Sequence, residues 1–529
     1  MASAPAQFAT LFDVVEQCAR EAGDVVAAID GIAADRSSQE PRPQAVLPPE
    51  LRYAQLAEAA ARVAVALAGR LEEGADAVAT CMPRGNDWYC TFLAAAKLGV
   101  ALAALSTDLR DKGVEQRRNA ELVATARPSL AVVAEPPSEV VAEALAGTPA
   151  VTFSELWTAG CGLAPGFPVD VAAGCAERSL CYCFTGGTTK ASRCARVTHG
   201  MALHEVAAYP RIVSLKPADR VLQQHSLYWA ASAYGEIDIA LAFRCALVFC
   251  EVGDADSVAS AIQEHRITCA GLVPSVLGSL DPDSLPDLRV VFTWGEALGA
   301  RTAREWTRRA KVVDLLISTE CWLSLYAVWE PSSSYVAGER PAFHVVPGAQ
   351  VRLESGVEGE GTSGAGELLV AGPMVTPGYT DAEMNASVFL EEDGVRWYRT
   401  RDRLEQREAG LVFAGRADDL VKVGGVWLDT AELQRQLLEL EGVAEAAIAG
   451  SRQAFVSLAS PARPGVLPEV RRMLPPDFSL LVVPQLPRHV GTNKVDRRAL
   501  AHMVCPGGAS QFELEEARRC QRQFARLRR

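Results

Sequence analysis

The segment Cys183-Phe184-Thr185-Gly186-Gly187-Thr188-Thr189-Lys190-Ala191-Ser192-Arg193 decides how the rest of this chain is read. The apolar residues Ser179, Leu180, Cys181, Tyr182, Cys183 and Phe184 form a short strand by pattern, bounded by a loop of small residues. Glycine lets a backbone approach a ligand closely and adopt positive φ. Successive amide N–H groups in such a loop make a nest for an anion. The threonine hydroxyls add hydrogen bonds, and Lys190 and Arg193 add positive charge. The segment therefore has the chemistry of a phosphate grip, although a ligand-free Gly/Thr turn has the same composition. It is not a Walker loop, since no Gly-Lys-Ser/Thr follows the first glycine at the required spacing. Nor is it a dinucleotide fingerprint.

The chain around this loop is long enough for more than one domain, with 529 residues and 49% hydrophobic content. A formal charge of −13 argues against a general nucleic-acid surface, which needs a basic face. Only the arginine-rich residues 518–529 depart from this, and a solvated basic helix is the reading there. There are 14 cysteines but no Cys-x-x-Cys pair, which argues against zinc. Buried free thiols in a reducing compartment fit better. No basic-then-apolar leader opens the sequence, and the apolar stretch 91–105 is interrupted by Lys97 and too short to span a bilayer. The expectation is a soluble cytoplasmic protein without membrane or nucleic-acid partners. Helices and strands alternate through the first half, which predicts an α/β domain with largely parallel sheets.

Phe184-Thr185-Gly186-Gly187-Thr188-Thr189 resembles the phosphate loop of the AMP-forming adenylating enzymes: acyl- and aryl-CoA ligases, luciferases and nonribosomal peptide synthetase adenylation domains. It departs from their Ser/Thr-Ser-Gly-Thr-Thr-Gly-x-Pro-Lys-Gly pattern at Gly186, Lys190 and Ser192, and Arg193 stands near the lysine. Further segments follow in the family's order. Trp294-Gly295-Glu296-Ala297 resembles its adenine-side segment, and Ser318-Thr319-Glu320 its Tyr-Gly-x-Thr-Glu run with Leu316 or Ile317 replacing the tyrosine. Gly366-Glu367-Leu368 with Pro377-Gly378-Tyr379 is similar to a run read as structural. Tyr398-Arg399-Thr400-Arg401-Asp402 resembles the ribose-binding segment. The strongest match is Gly415-Arg416-Ala417-Asp418-Asp419-Leu420-Val421-Lys422 through Leu433, which is like the hinge and first hairpin of the family's small domain. Leu486-Pro487 through Asn493-Lys494-Val495-Asp496-Arg497 resembles the segment with the adenylation lysine.

The resemblance implies a large multi-sheet α/β domain at 51–414 and a small mobile α+β domain at 415–505. A helix and linker (1–50) would precede them and a basic helical tail (506–529) would follow. It implies ATP-dependent activation of a carboxylic or amino acid as an acyl-adenylate, with release of pyrophosphate and transfer to a thiol. That thiol would be CoA or the phosphopantetheine arm of an acyl or peptidyl carrier protein. Residue by residue, it implies catalytic roles for Lys494, Thr319, Glu320 and Lys422, with Glu320 holding Mg²⁺. Thr185, Gly186, Gly187, Thr188, Thr189, Lys190 and Arg193 would hold phosphates. Gly295, Glu296, Ala297, Asp402 and Arg416 would contact the rest of the nucleotide. His225, Trp229, Ala230 and Tyr234 would line the acid's pocket. Ala230 stands where amino-acid-activating domains carry an aspartate, so the usual ammonium clamp is missing and burying an ammonium there is costly. Two alternatives remain open: a stand-alone acyl- or aryl-CoA ligase, and a degenerate member that binds a nucleotide or a partner without catalysis. Taken alone, His225 also reads as a structural histidine and Asp402 as a surface ion-pair partner.

Overall fold

The computed structural model describes residues 8–31, 44–107, 112–162, 176–185, 193–228, 231–252, 254–296, 298–331, 340–355, 365–423, 426–449, 452–459, 463–488 and 495–503. The stretch 179–184 is a strand, as its apolar run predicts, and it belongs to a six-stranded sheet. Five strands of that sheet are parallel; only Cys194–Thr198, which returns from the loop, is antiparallel. A nine-stranded sheet lies beside it, parallel from Val26–Asp30 across to Lys311–Leu316 and closed by antiparallel strands at both ends. The parallel strands are short apolar runs because helices cover both faces of such sheets.

The helix Asn86–Leu98 shows why the sequence gives this packing. It is apolar all round, and Trp88, Tyr89, Phe92 and Leu93 are all buried, as expected of a helix without a solvent face. The Ala-rich helix Tyr53–Ala68 lies close against it, since small side chains permit close approach. Gly99 ends the buried helix in the left-handed conformation at φ 65°, where a side chain would be disfavoured.

The first residues do not stand apart as a helix and linker. The helix Leu11–Ala22 buries Leu11, Phe12, Val15 and Cys18 in the main core, and Val26–Asp30 enters the nine-stranded sheet beside Ala246–Phe249. The alternation of that short strand is masked in the sequence by neighbouring alanines. Residues 35–43, read as a surface loop, lie outside the described residues.

A third, antiparallel sheet of five strands spans Gln350–Ser355 to Gly410–Arg416. Beyond it come the hairpin Leu420–Val423/Val426–Asp429 and a three-stranded sheet with helices Thr430–Leu438 and Val466–Met473, which bury a separate small core. Gly415 sits at this junction with φ 107°, and a Cβ there would fall 2.1 Å from the Asp429 carboxylate. Among the described residues, 11 cysteines are free thiols and no helix is long and apolar enough to cross a membrane.

Candidate active site

The strand Ser179–Phe184 leads into the glycine–threonine segment and Cys194–Thr198 leads out of it. The two ends are tied together: the Thr185 amide donates to the Arg193 carbonyl at 2.9 Å, and the Arg193 amide donates to Thr185 Oγ1 at 3.2 Å. Thr185 is thus committed to closing the loop. Gly186, Gly187, Thr188, Thr189 and Lys190 lie outside the described residues.

Arg193 points from the loop's end to Glu320, with its guanidinium 3.4 Å from Oε1 and 4.7 Å from the ring centroid of Tyr379. The Tyr379 hydroxyl donates to the same carboxylate oxygen. Burial, then the charge of Glu320, pushes the Tyr379 phenol well above its ordinary value, so it stays a donor. The Thr319 hydroxyl donates to the Phe184 carbonyl at 3.5 Å. The segment bearing Tyr379 is threaded between these parts. Its residue Thr380 donates its amide to the Cys194 carbonyl, and the Arg196 amide donates to the Gly378 carbonyl. The Thr376 amide donates to the Glu320 carbonyl at 2.9 Å. Tyr379, read as part of a structural run, therefore reaches the Glu320 carboxylate directly; a tyrosine after Pro-Gly was its only signal.

Among the described residues, both side-chain contacts of Glu320 fall on Oε1. No cluster of three acidic, histidine or cysteine side chains fit for a metal occurs among the described residues. A lone carboxylate fits Mg²⁺, which keeps waters and arrives with substrate phosphates, better than a metal held in an all-protein cage.

Asp402 and Arg416 face each other across adjacent strands. Their side chains meet at 2.7 Å, and Arg416 also reaches the Thr400 carbonyl at 3.5 Å. The register slips beside Asp402, and Arg401 takes a positive φ of 66°. Such a conformation is strained for a non-glycine residue. It leaves Arg401 exposed while Asp402 is buried against Arg416 and Thr400.

Two of the residues expected beside the acid, His225 and Tyr234, lie just before and on the helix Ala231–Phe243. The His225 ring is held by Glu236, Nδ1 to Oε1 at 2.8 Å, and lies 5.3 Å from Trp294. Glu236 is fully buried, which raises its carboxyl above the usual range, against the pull of His225. Tyr234 lies buried on the helix Ala231–Phe243. It packs among Trp88, Phe92 and Trp322 and donates to the Leu227 carbonyl. Residues 235, 236 and 239 share one face of the helix, and 234 lies on another. Trp229 and Ala230 lie outside the described residues.

Gly295 has a positive φ of 78°, and the Glu296 carboxylate accepts the Ser275 amide at 3.1 Å, so Glu296 anchors this turn to its neighbour. Ala297 lies outside the described residues. Lys422 sits in the strand Leu420–Val423, where only the backbone is described. Lys494 lies outside them as well, beside the bridge between Arg488 and Val495.

One acidic pair carries no sequence signal. Glu205 and Asp238, each 1% exposed, meet from two helices. Glu205 Oε1 accepts the Leu323 amide at 2.9 Å, which steadies the turn bearing Thr319 and Glu320. Burial raises the Glu205 carboxyl from 4.5 to about 8. A group raised in the folded state contributes fully below its unfolded value, and that contribution is lost as pH rises through the folded one. The melting temperature should therefore fall between pH 6 and pH 9, and Glu205→Gln, which keeps the acceptor for Leu323, should flatten that fall. Identical pH profiles for the two proteins would refute the role of this carboxyl.

Comparison with known proteins places this architecture. The chain matches the AMP-binding enzyme family over residues 33–380, more than half its length, and it belongs to that family. Among its relatives, the nonribosomal peptide synthetase CymA of Salinispora arenicola is 30% identical over 483 residues, 85% of this chain and 6% of that protein. Benzoate–CoA ligase of Thauera aromatica is 28% identical over 398 residues, 71% of this chain and 73% of that enzyme. The chain spans 3% to 6% of the length of the first curated relatives it matches, all of them peptide synthetases. Klebsiella oxytoca NpsA in complex with 3-hydroxyanthranilyl-AMSN superposes with a TM-score of 0.76 at 18% identity, covering 94% of this chain and 100% of that one. ATP-bound MatB from Rhodopseudomonas palustris gives 0.73 at 21%, covering 92% and 98%. At these identities the structural likeness establishes the fold.

Proposed function

We propose that this protein activates a carboxylic acid with ATP as an acyl-adenylate, releases pyrophosphate, and passes the acyl group to a thiol. The observation that carries the reading is the meeting at Glu320 of three distant segments: the loop end with Arg193, the turn with Thr319, and the strap with Tyr379. A carboxylate is a poor acyl donor because its leaving group would be oxide. ATP supplies the α-phosphorus that the carboxylate attacks, and AMP then leaves readily. The protein's part is positioning and charge stabilisation.

Glu320 would hold Mg²⁺ with the nucleotide's phosphates, and Tyr379 and Arg193 fix that carboxylate's direction. The loop 185–193 would hold the phosphates through its amides, hydroxyls and cations. Asp402 would accept the ribose hydroxyls, oriented by Arg416. His225, held by Glu236, would sit beside the acid, and Lys494 would bring its charge between carboxylate and phosphate. Lys422 would face the site during thiol transfer.

The acceptor is CoA or a carrier protein's pantetheine. The match to benzoate–CoA ligase over most of that enzyme favours CoA, whereas the matches to peptide synthetases favour a carrier. Turnover with CoA alone, against turnover with a pantetheinylated carrier alone, separates them.

Carboxylate-dependent exchange of labelled pyrophosphate into ATP tests the reading, using pools of amino, aryl and fatty acids. Exchange with one pool supports it; ATP binding without exchange in any pool counts against it. Asp402→Asn should raise KM for ATP by about tenfold or more, because it weakens charge-assisted hydrogen bonds. It should leave kcat within a few fold. An unchanged KM would remove Asp402 from the nucleotide site.

A further inference from the structure

The strand Cys194–Thr198, which leaves the phosphate loop, runs straight into the helix His199–Ala208, and Thr198 caps that helix by accepting the Met201 amide at 3.3 Å. Two neighbouring residues of the helix grip one residue of a distant segment. Glu205 Oε1 accepts the Leu323 amide at 2.9 Å, and His204 Nε2 donates to the Leu323 carbonyl at 3.0 Å. Both backbone polar groups of the fully buried Leu323 are thus taken by side chains 118 and 119 residues away. Leu323 lies at the foot of the loop that joins the strands Lys311–Leu316 and Leu325–Trp329. The Ser318 amide donates to the Cys321 carbonyl at 2.8 Å and the Cys321 amide to Ser318 Oγ at 3.1 Å, which closes the loop with Thr319 and Glu320 at its tip.

Glu205 is itself held. The Tyr209 hydroxyl donates to its Oε2 at 3.4 Å, and Asp238, from the helix Ala231–Phe243, hydrogen-bonds it as well. The same helix pins the residue before Leu323: Trp322 stacks on Tyr234 with ring centroids 6.3 Å apart. Burying two carboxyl groups is destabilising. What an apolar pair could not supply is a directed acceptor for the Leu323 amide. We propose that His204 and Glu205, the latter backed by Asp238, are positioning residues for adenylation that hold the Thr319–Glu320 turn in register with the strand leaving the phosphate loop. This rests on the reading that the chain adenylates a carboxylic acid. One continuous stretch then meets the turn twice, at Glu320 through Arg193 and at Leu323 through the helix. Loss of the grip lets the turn shift against the loop, and a misplacement of about 1 Å can cost ~10²-fold in rate. Asp402 and Arg416 lie on another sheet and are untouched, so ATP binding persists.

The test is pyrophosphate exchange by the full chain with the pooled amino, aryl and fatty acids, over a range of ATP concentrations. Glu205→Ala and His204→Ala should each lower kcat by about tenfold or more and leave KM for ATP within about threefold. Glu205→Gln keeps the acceptor for Leu323 and should restore kcat to within about threefold of wild type. Hydrogen exchange followed by mass spectrometry gives a readout independent of turnover. The peptide carrying Leu323 should exchange faster in Glu205→Ala and at the wild-type rate in Glu205→Gln. Should Glu205→Ala fail to fold because Asp238 is left buried without it, the double variant Glu205→Leu with Asp238→Leu removes both acids and should show the same loss of kcat. Wild-type kcat in folded Glu205→Ala or in the double variant, a loss confined to KM for ATP, or equal losses in Glu205→Ala and Glu205→Gln overturn the proposal while leaving adenylation in place. Exchange with no acid in the wild type overturns adenylation itself, and this proposal with it.

Discussion

Glu320→Gln should fold normally and lose acid-dependent pyrophosphate exchange by about two to three orders of magnitude, the scale of removing one preorganised electrostatic group. The amide is nearly isosteric, so it still accepts the Tyr379 hydroxyl, and the backbone bond from Thr376 to the Glu320 carbonyl is untouched. What goes is the charge. Glu320 is 4% exposed and is the acidic group at the meeting point of loop, turn and strap. On the proposed reading a cation accompanying the phosphates would then lose its protein carboxylate, and Arg193 loses its charged partner. The variant should show a matching melting temperature, a raised requirement for Mg²⁺, and ATP binding by Mg²⁺-free titration close to wild type. Exchange within threefold of wild type at saturating Mg²⁺ would show that the cation is held elsewhere.

Lys494→Ala should have an equally large effect confined to one half of the reaction. Bringing the acid's carboxylate against a phosphate opposes two anions, and a unit charge about 4 Å away is worth ~4 kcal/mol at an effective dielectric constant of 20. Exchange should fall by about two to three orders of magnitude. Transfer from a supplied acyl-adenylate to the thiol should stay within a few fold, since by then the two anions no longer need to be held together. Equal loss in both halves would make Lys494 a structural residue. Its segment lies in sequence between the bridged residues Arg488 and Val495, and the Asp496 amide bonds the Pro487 carbonyl at 2.7 Å, so the loop's base is fixed whichever residue stands at 494.

Much of the fold was legible along the chain. The strand at 179–184 and the largely parallel sheets of the first half lie where the pattern put them. In each case a short apolar run is bounded by turn residues, so the local signal and the tertiary environment agree. The first strand, Val26–Asp30, was not legible, because its place beside Ala246–Phe249 depends on residues more than two hundred positions away. The family motifs likewise located Thr319, Glu320, Asp402 and Arg416, and the structure pairs the first two with Phe184 and Arg193 and the last two with each other.

By itself, then, the sequence determined the class of architecture, the order of its parts and the residue types available for phosphate, cation and ribose, because those depend on local periodicity and short motifs. Only the tertiary structure decided which of these groups meet. Tyr379 on Glu320, Glu236 behind His225, Glu205 against Asp238, and Trp294 across Gly271 are pairings between segments on different elements. Tyr234 stacking on Trp322 is another such pairing. Which face of a helix is buried, and which partner a buried polar group finds, is settled when sheets and helices pack and each buried donor or charge must be satisfied.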